Sequence, residues 1–374
     1  MLAAILYTYF VYPLVVFAMV KLRGPLPERR AAGGVPTVSM VVAVYNEAAV
    51  IEEKLKNLTL SKYPQENIEF LFGSDGSTDR TNEILARSVV PGLRFSPFGT
   101  RRGKVAVLNE LIANARGEII VFSDANTFYA ENTVQQLVDH FADPAIGGVC
   151  GKLVLKPDPE ALGGKGESSY WEYENWLKHL ESDYYTILGA TGGVYAIRKR
   201  LYKPLPTIRS VTDDFVIPLN VVQQGFRVKY VASALAFEKT ADSIAGEFRR
   251  KARIGAQNFN SIREFAPLLS PRSGFVSFAL WSHKMLRWGV PFLGAVMVMT
   301  SFMLALHADL YRLILLGEGL FLAVALIGLL AEKKRFSMGV LSLPYYLVAM
   351  NTALFVGFVK FLFRRQQSTW EVVR

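Results

Sequence analysis

Residues Ile119–Thr127 read IIVFSDANT, an apolar run without a charge that ends abruptly in an aspartate, an alanine and an asparagine. The pattern predicts a buried parallel strand that delivers polar side chains at its C-terminal edge, where open α/β sheets bind ligands. Asp124 and Asn126, two residues apart, point the same way and offer two oxygen ligands to a hard divalent cation shared with phosphate. A strand followed by an Asx-turn, with Asn126 bonded to its own backbone, fits the same letters.

The stretches upstream repeat the pattern. Val38–Val44, VSMVVAV, stops at Tyr45-Asn46-Glu47, after which Ile51, Leu55 and Leu58 recur at helical spacing. Ile68–Phe72 stops at Ser74-Asp75-Gly76-Ser77-Thr78-Asp79, where Gly76 permits a tight turn and Thr78 or Asp79 can cap a helix from Arg80. Asp75 is thereby expected at the same sheet edge as Asp124. Near these strands there is no G-x-G-x-x-G and no G-x-x-x-x-G-K-[ST], which argues against a dinucleotide oxidoreductase and a P-loop nucleotidase. Gly99–Asn109, GTRRGKVAVLN, instead sets Arg101, Arg102 and Lys104 around a glycine before a helix, cations that could meet a pyrophosphate. A solvated basic loop accounts equally for Arg101 and Arg102.

The 374 residues are 51% hydrophobic with a net charge of +10, and the apolar excess lies at the two ends. Leu2–Val20 carries no charge and is long enough to cross a bilayer, and Lys21, Arg23, Arg29 and Arg30 follow it. That order predicts a retained anchor with its N-terminus outside; a signal peptide would carry its positive charge first. Val290–Leu306 and Leu310–Ala331 read as a transmembrane hairpin about His307-Ala308-Asp309. Met338–Phe363 contains Pro344 and Asn351 and reads either as a single crossing, which leaves the basic tail outside, or as a broken, re-entrant pair that keeps it inside, as the charge bias favours. The positive charge suits anionic lipid headgroups, and no nucleic-acid-binding motif is visible. Cys150, the single cysteine, excludes an internal disulfide and a thiol zinc site.

Val41–Glu47, DGSTD, RRGK with Asn109, and SDAN, in this order, resemble family 2 glycosyltransferases of the α/β GT-A fold. The closest branch in pattern is the membrane-integrated one that contains cellulose, chitin and hyaluronan synthases. The resemblance covers Pro36–Phe265 and implies inverting transfer from a nucleotide-diphosphate sugar, usually UDP-linked, assisted by Mg2+ or Mn2+. It implies donor contacts from Glu47, Asp75, Lys104, Asn109, Asp124 and Arg253: Asp75 at the base or ribose, Lys104 on the diphosphate side, Asp124 at the metal. The family's D-x-D becomes Asp124-Ala125-Asn126 here, so the second ligand is an uncharged amide oxygen. Ser210–Pro218 looks like the family's T-E-D motif written Thr212-Asp213-Asp214, which gives Asp214 the role of general base. Asp213, its neighbour, falls on the acceptor side; a helix N-terminus enriched in acid explains both residues structurally.

Gly189–Arg198 supplies Gly192 and Gly193, whose backbone either approaches an acceptor sugar or turns tightly into a core strand. Trp171, in the aromatic Glu167–Glu181 helix, offers a stacking face for an acceptor, or simply packs on the sheet. Processive synthases carry Q-x-x-R-W where this chain has Arg250, Lys251, Ala252, Arg253 and Ile254, so only the arginine is kept. Trp281–Trp288 is most simply a membrane-interface anchor, and His283 in it has no partner visible in sequence.

The expected organisation is a transmembrane anchor at 1–22, a linker at 23–35 and a cytoplasmic GT-A domain at 36–245. Interfacial amphipathic helices follow at 246–289, a transmembrane region at 290–363, and a basic cytoplasmic tail at 364–374. The expected enzyme is a multi-pass protein of the plasma (inner) membrane, with oligomers open to it, that extends an extracellular or cell-wall polysaccharide. Addition of one sugar to a membrane lipid is the alternative, and a non-catalytic nucleotide-sugar-binding scaffold ranks below both.

Overall fold

The computed structural model describes residues 1–27, 34–156, 164–239, 244–334 and 342–363. The tail at 364–374 and parts of the linker and of the 338–363 segment therefore lie outside the described residues. Eight strands form one sheet: β1 (Val38–Val44), β2 (Ile68–Asp75), β3 (Leu93–Phe98), β4 (Ile119–Phe122), β5 (Phe128–Tyr129), β6 (Ile146–Lys156), β7 (Tyr195–Arg198) and β8 (Arg227–Lys239). Their order is β3-β2-β1-β4-β7-β6-β8-β5.

The first four strands pair in parallel, and β7 then enters antiparallel to β4. Every residue of β1 and β4 is buried, as charge-free strands covered on both faces must be. Alternation splits β1 between two apolar layers: Val41 and Ala43 join Leu108, Leu111 and Tyr195 on one face, and Met40, Val42 and Val44 join Ile51, Leu55 and Phe72 on the other. At the join between parallel and antiparallel halves, Phe122 stacks on Tyr195 with ring centroids 4.3 Å apart.

The helices that position the site are α1 (Leu2–Arg23), α2 (Ile51–Thr59), α3 (Thr81–Ala86), α4 (Lys104–Ala113), α5 (Thr133–Val138), α6 (Gly164–Tyr184), α7 (Asp213–Gln223) and α8 (Ile244–Ser261). Three more, α9 (Phe275–Leu304), α10 (Asp309–Lys333) and α11 (Leu343–Leu362), close the chain. α1, α9, α10 and α11 are each long and apolar enough to cross a membrane. Helix α9 begins earlier than the expected span at Val290, because its first turns pack into the protein through Val276, Ala279 and Leu280.

The expected hairpin is present as α9 and α10, with Ser301 Oγ donating to Glu318 at 3.0 Å. Among the described residues of the last segment there is no break: α11 is one continuous helix. Pro344 falls in its first turn, where the missing N–H has no partner to lose, and Asn351 Nδ2 donates to Leu347 O one turn back.

Helix α11 also runs across the base of the hairpin. Because Ser301 faces Glu318, Phe292 and Gly328 stand at similar depth, each about 14 Å further along its arm. A Cβ at Gly328 would lie 2.7 Å from Tyr345 Cβ at one end of α11, whereas Phe292 meets Phe355 and Phe358 near the other, at 5.5 and 4.9 Å. On its opposite side α11 lies along α8, close enough that a Cβ at Gly357 would meet Ala252 O at 2.6 Å. Helix α8 is thus held between α11 and the catalytic half.

Candidate active site

The polar turn after β4 is fixed from beneath by a buried lysine. Lys54, on α2 and fully buried, donates from Nζ to Ser123 Oγ at 2.7 Å and to the carbonyl of Thr127, so it clasps both ends of the segment bearing Asp124 and Asn126. Burial pushes Lys54 down to about 7, against the pull of Asp124. Asp124 Oδ1 accepts from Lys104 Nζ at 2.9 Å, and the same ammonium stands 3.2 Å from Asp213 Oδ2. Burial pushes Asp124 up, but Lys104, Lys54 and Arg253 outweigh it and hold the carboxylate ionised below its ordinary range. Burial likewise opposes the charge on Lys104, which Asp124 and Asp213 restore and raise.

Asp213 and Asp214 occupy the first turn of α7, after Thr212. A Cβ built on Gly192 would lie 3.2 Å from Asp214 Oδ2 and 3.7 Å from Asp124 Oδ2, so both carboxylates flank a space that only glycine leaves open. Gly193 is as constrained, since a Cβ there would overlap Thr127 Oγ1. Burial, then the charge of Asp213, pushes Asp214 up to about 7; Lys104 and Lys178 pull the other way and Asp124 adds to the rise. Asp214 is therefore a carboxylate with the proton affinity of a base working near neutrality.

Lys104, Asp124, Gly192, Gly193, Asp213 and Asp214 line one cavity of about 410 Å³ with Glu47, Asn126, Tyr170, Trp171, Glu174, Lys178, Glu238, Arg250, Lys251, Arg253 and Lys284. Of the expected site residues it gathers Glu47, Lys104, Asp124, Asn126, Trp171, Gly192, Gly193, Asp213, Asp214 and Arg253. Two others stand elsewhere. Asp75 is fully buried and accepts from the backbone N–H of Arg102 at 2.6 Å and of Gly103 at 2.9 Å, which fastens the loop leading into Lys104. Asn109 is occupied by the 202–205 segment, donating to Leu205 O and accepting from Tyr202 Oη and Leu205 N. Arg101 and Arg102 stack on Tyr45 and Phe98, with centroid distances of 3.8 and 3.9 Å; Arg101 is half-buried there, and Arg102 stays exposed to solvent.

Asn126 makes no Asx-turn; its Nδ2 donates to Glu238 Oε1 at 3.1 Å, which leaves the amide oxygen as its acceptor atom. Among the described residues no three His, Cys, Asp or Glu side chains cluster as a metal site. A cation held here would have Asp124 and the Asn126 oxygen as its protein ligands and take the rest from phosphate and water, which is how Mg2+ and Mn2+ bind with a nucleotide. Ile254 lies on the cavity wall, within the stretch where processive synthases carry tryptophan.

Behind the cavity, His283 is 1% exposed and has the partners that the sequence did not disclose: Nδ1 is 2.7 Å from Glu181 Oε1 and Nε2 3.2 Å from Glu174 Oε2. Tyr12 Oη donates to the same Glu181 at 2.7 Å, and Arg287 pairs with Glu174. This network ties α1 and α9 to α6 and so orients the face of α6 that lines the cavity. Spacing held the signal: Glu174 and Glu181 share one face of a helix, as do His283 and Arg287. Trp171, Glu174 and Lys178 likewise share a face, and only Trp171 had been singled out.

Residues 39–205 match the family model described as glycosyl transferase family 2. The poly-beta-1,6-N-acetyl-D-glucosamine synthase of Staphylococcus aureus is 24% identical over 225 residues, 58% of this chain and 53% of that enzyme. The synthase of the same name in Staphylococcus epidermidis is 24% identical over 241 residues, 63% and 58% of the two chains. The chain thus spans between half and three-fifths of the length of these relatives. Among solved structures, mannosyltransferase PcManGT from Pyrobaculum calidifontis, in complex with GDP-Man and Mn2+, superposes with a TM-score of 0.72 over 98% of both chains at 23% identity. That likeness runs through the flanking helices as well as the GT-A sheet, and residues 39–205 carry a glycosyl transferase family 2 domain.

Proposed function

We propose that the chain transfers a sugar, with inversion, from a nucleotide-diphosphate donor to an acceptor on the membrane side of the cavity, with Asp214 as general base. The observation that carries this reading is the convergence of Asp214 and Asp124 on the space over Gly192. Inverting displacement needs a base on the acceptor hydroxyl and stabilised charge on the departing diphosphate, on opposite sides of the anomeric carbon. Lys104 and Arg253 supply fixed positive charge for the diphosphate. Mg2+ or Mn2+ held by Asp124 and Asn126 would neutralise the same leaving group. Asp214, protonated and ionised in comparable amounts near pH 7, takes the hydroxyl proton as the bond to the sugar forms.

The names of the staphylococcal relatives favour a polysaccharide as acceptor. The cavity wall made by Tyr170, Trp171 and Lys284, on helices packed against the apolar ones, favours an acceptor carried by a lipid. The positive residues after α1 favour a cytoplasmic catalytic half in a multi-pass inner-membrane enzyme. The test is to incubate purified protein in nanodiscs, with Mn2+ or Mg2+, with radiolabelled UDP- and GDP-sugars and native lipids, and to size the product. A polymer supports the polysaccharide acceptor, and one sugar on an organic-soluble lipid supports the lipid acceptor. Donor binding without transfer under every condition refutes the catalytic reading.

A further inference from the structure

The membrane-side wall carries positive charge that the displacement chemistry does not use. Lys178 of α6 and Lys284 of α9 line it, with Lys251 of α8. Lys178 is 6% exposed, and its Nζ donates to neutral oxygens, Thr191 Oγ1 at 2.8 Å and Ala190 O at 3.5 Å. The carboxylate on this wall, Glu174, is already engaged through both oxygens by Arg287 and His283. Lys284 Nζ stands 3.4 Å from His283 Nε2, the ring nitrogen that faces Glu174. Lys178 and Lys251 lie over the Trp171 ring at 5.7 and 6.0 Å, and Lys251 over Tyr170 at 5.1 Å. Aromatic faces orient ammonium groups without neutralising them. Lys251 also pairs with Glu247 at 3.7 Å, and Glu174 and Glu181 act on Lys284. But Lys178, Arg250, Lys251, Lys284 and Arg287 outnumber Glu174, Glu181 and Glu247, and such a surplus of cations drawn out of water is stabilised by an anion that enters among them.

The position of this anion follows from its neighbours. Lys178 acts electrostatically on Asp214, as does Lys104, which is itself tied to Asp124 at 2.9 Å. Lys284 lies between Trp281, half exposed, and Trp288 at the start of an apolar helix, which is the level of a membrane interface. We infer that Lys178, Lys251 and Lys284 form a second anion site, which holds the phosphate or diphosphate of an acceptor carried on a membrane lipid while its hydroxyl faces Asp214. The phosphate is gripped and not attacked; the bond formed is the one between hydroxyl oxygen and sugar. This rests on the reading that the acceptor lies on the membrane side.

The test reads binding and not transfer, so it stands apart from the activity assay. Full-length protein in detergent is titrated, by native mass spectrometry, with isoprenyl monophosphate, isoprenyl diphosphate, neutral isoprenol and phosphatidylglycerol, and donor binding is followed with UDP and GDP. Lys178→Met and Lys284→Gln should each weaken binding of the phosphorylated isoprenyl lipids by about tenfold and change nucleotide binding less than twofold. Should Lys178→Met fail to fold, Lys284→Gln alone decides. Isoprenol binding as tightly as the phosphates would overturn the inference. So would phosphatidylglycerol displacing them at equal mole fraction, which marks a headgroup site, or nucleotide binding falling in step, which assigns the lysines to the donor.

Discussion

Replacing Asp214 by asparagine should separate activity from stability in opposite directions. Burial beside Asp213 pushes this carboxyl up to about 7, against about 3.9 in an unfolded chain. The folded value is the higher one, so folding takes up a proton between the two. The contribution to stability is complete below about pH 4 and is lost as pH rises to about 7, at about 1.4 kcal/mol per pH unit, or about 4 kcal/mol in all. Asparagine fills the same volume and has no such equilibrium. The melting temperature of Asp214→Asn minus that of the native chain should therefore rise from pH 5 to pH 7 by several degrees and level off above. Turnover should fall by about 10²–10⁴ at pH 7 and above, while donor binding stays. In the native enzyme kcat/KM should fall about tenfold per unit below pH 7. Differential scanning fluorimetry in nanodiscs from pH 5 to 8, with single-turnover kinetics, reads both effects. A flat or falling difference in melting temperature would refute the electrostatic argument, and native turnover in the variant would refute the assignment of the base.

Other substitutions probe the supports of the site. Lys54→Met leaves Ser123 Oγ and the Thr127 carbonyl without their donor, so the Asp124 turn should loosen and the Mn2+ concentration for half-maximal activity should rise about tenfold; a metal titration of activity checks it. Gly193→Ala forces a Cβ into Thr127 and should cut kcat at least tenfold, read by steady-state kinetics beside circular dichroism to verify the fold. Arg287→Met strands a buried Glu174 and should cost about 3–5 kcal/mol, seen as a lower melting temperature. Gly357→Leu should pry α11 from α8 and lower both melting temperature and activity, because α8 carries Arg253 to the cavity.

How much of this was legible in the sequence depends on how local each cause is. Strands β1, β2 and β4 were legible because a strand covered on both faces must be apolar throughout, and the polar residue that ends the run marks the sheet edge. The antiparallel half was not, because β7 offers four residues and pairs with strands far away in the chain. The break expected at Pro344 and Asn351 was a local rule applied without position: a proline in the first helical turn removes no hydrogen bond, and an asparagine can return its amide to the preceding turn.

The same distinction separates the site residues that were foreseen from those that were not. Asp124, Asp214 and Gly192 each stand where a strand or helix ends, and short motifs record such ends. Asp75 stands at a strand end too, and there it is buried under the Arg102–Gly103 backbone and fastens the loop that presents Lys104. Lys178, Glu174 and His283 belong to helices whose pairing is fixed only in three dimensions. His283 looked isolated because its two carboxylates lie more than a hundred residues upstream. The network through His283 also accounts for an anchor helix that contributes no side chain to the cavity. By holding Tyr12 on Glu181 it couples the seating of α1 to the orientation of α6, and hence of Trp171 and Lys178. Helix α1 and the cavity wall that bears Trp171 and Lys178 are one packing unit, so on the proposed function loss of the α1 contact at Tyr12 should be felt first in acceptor affinity and only afterwards in donor binding.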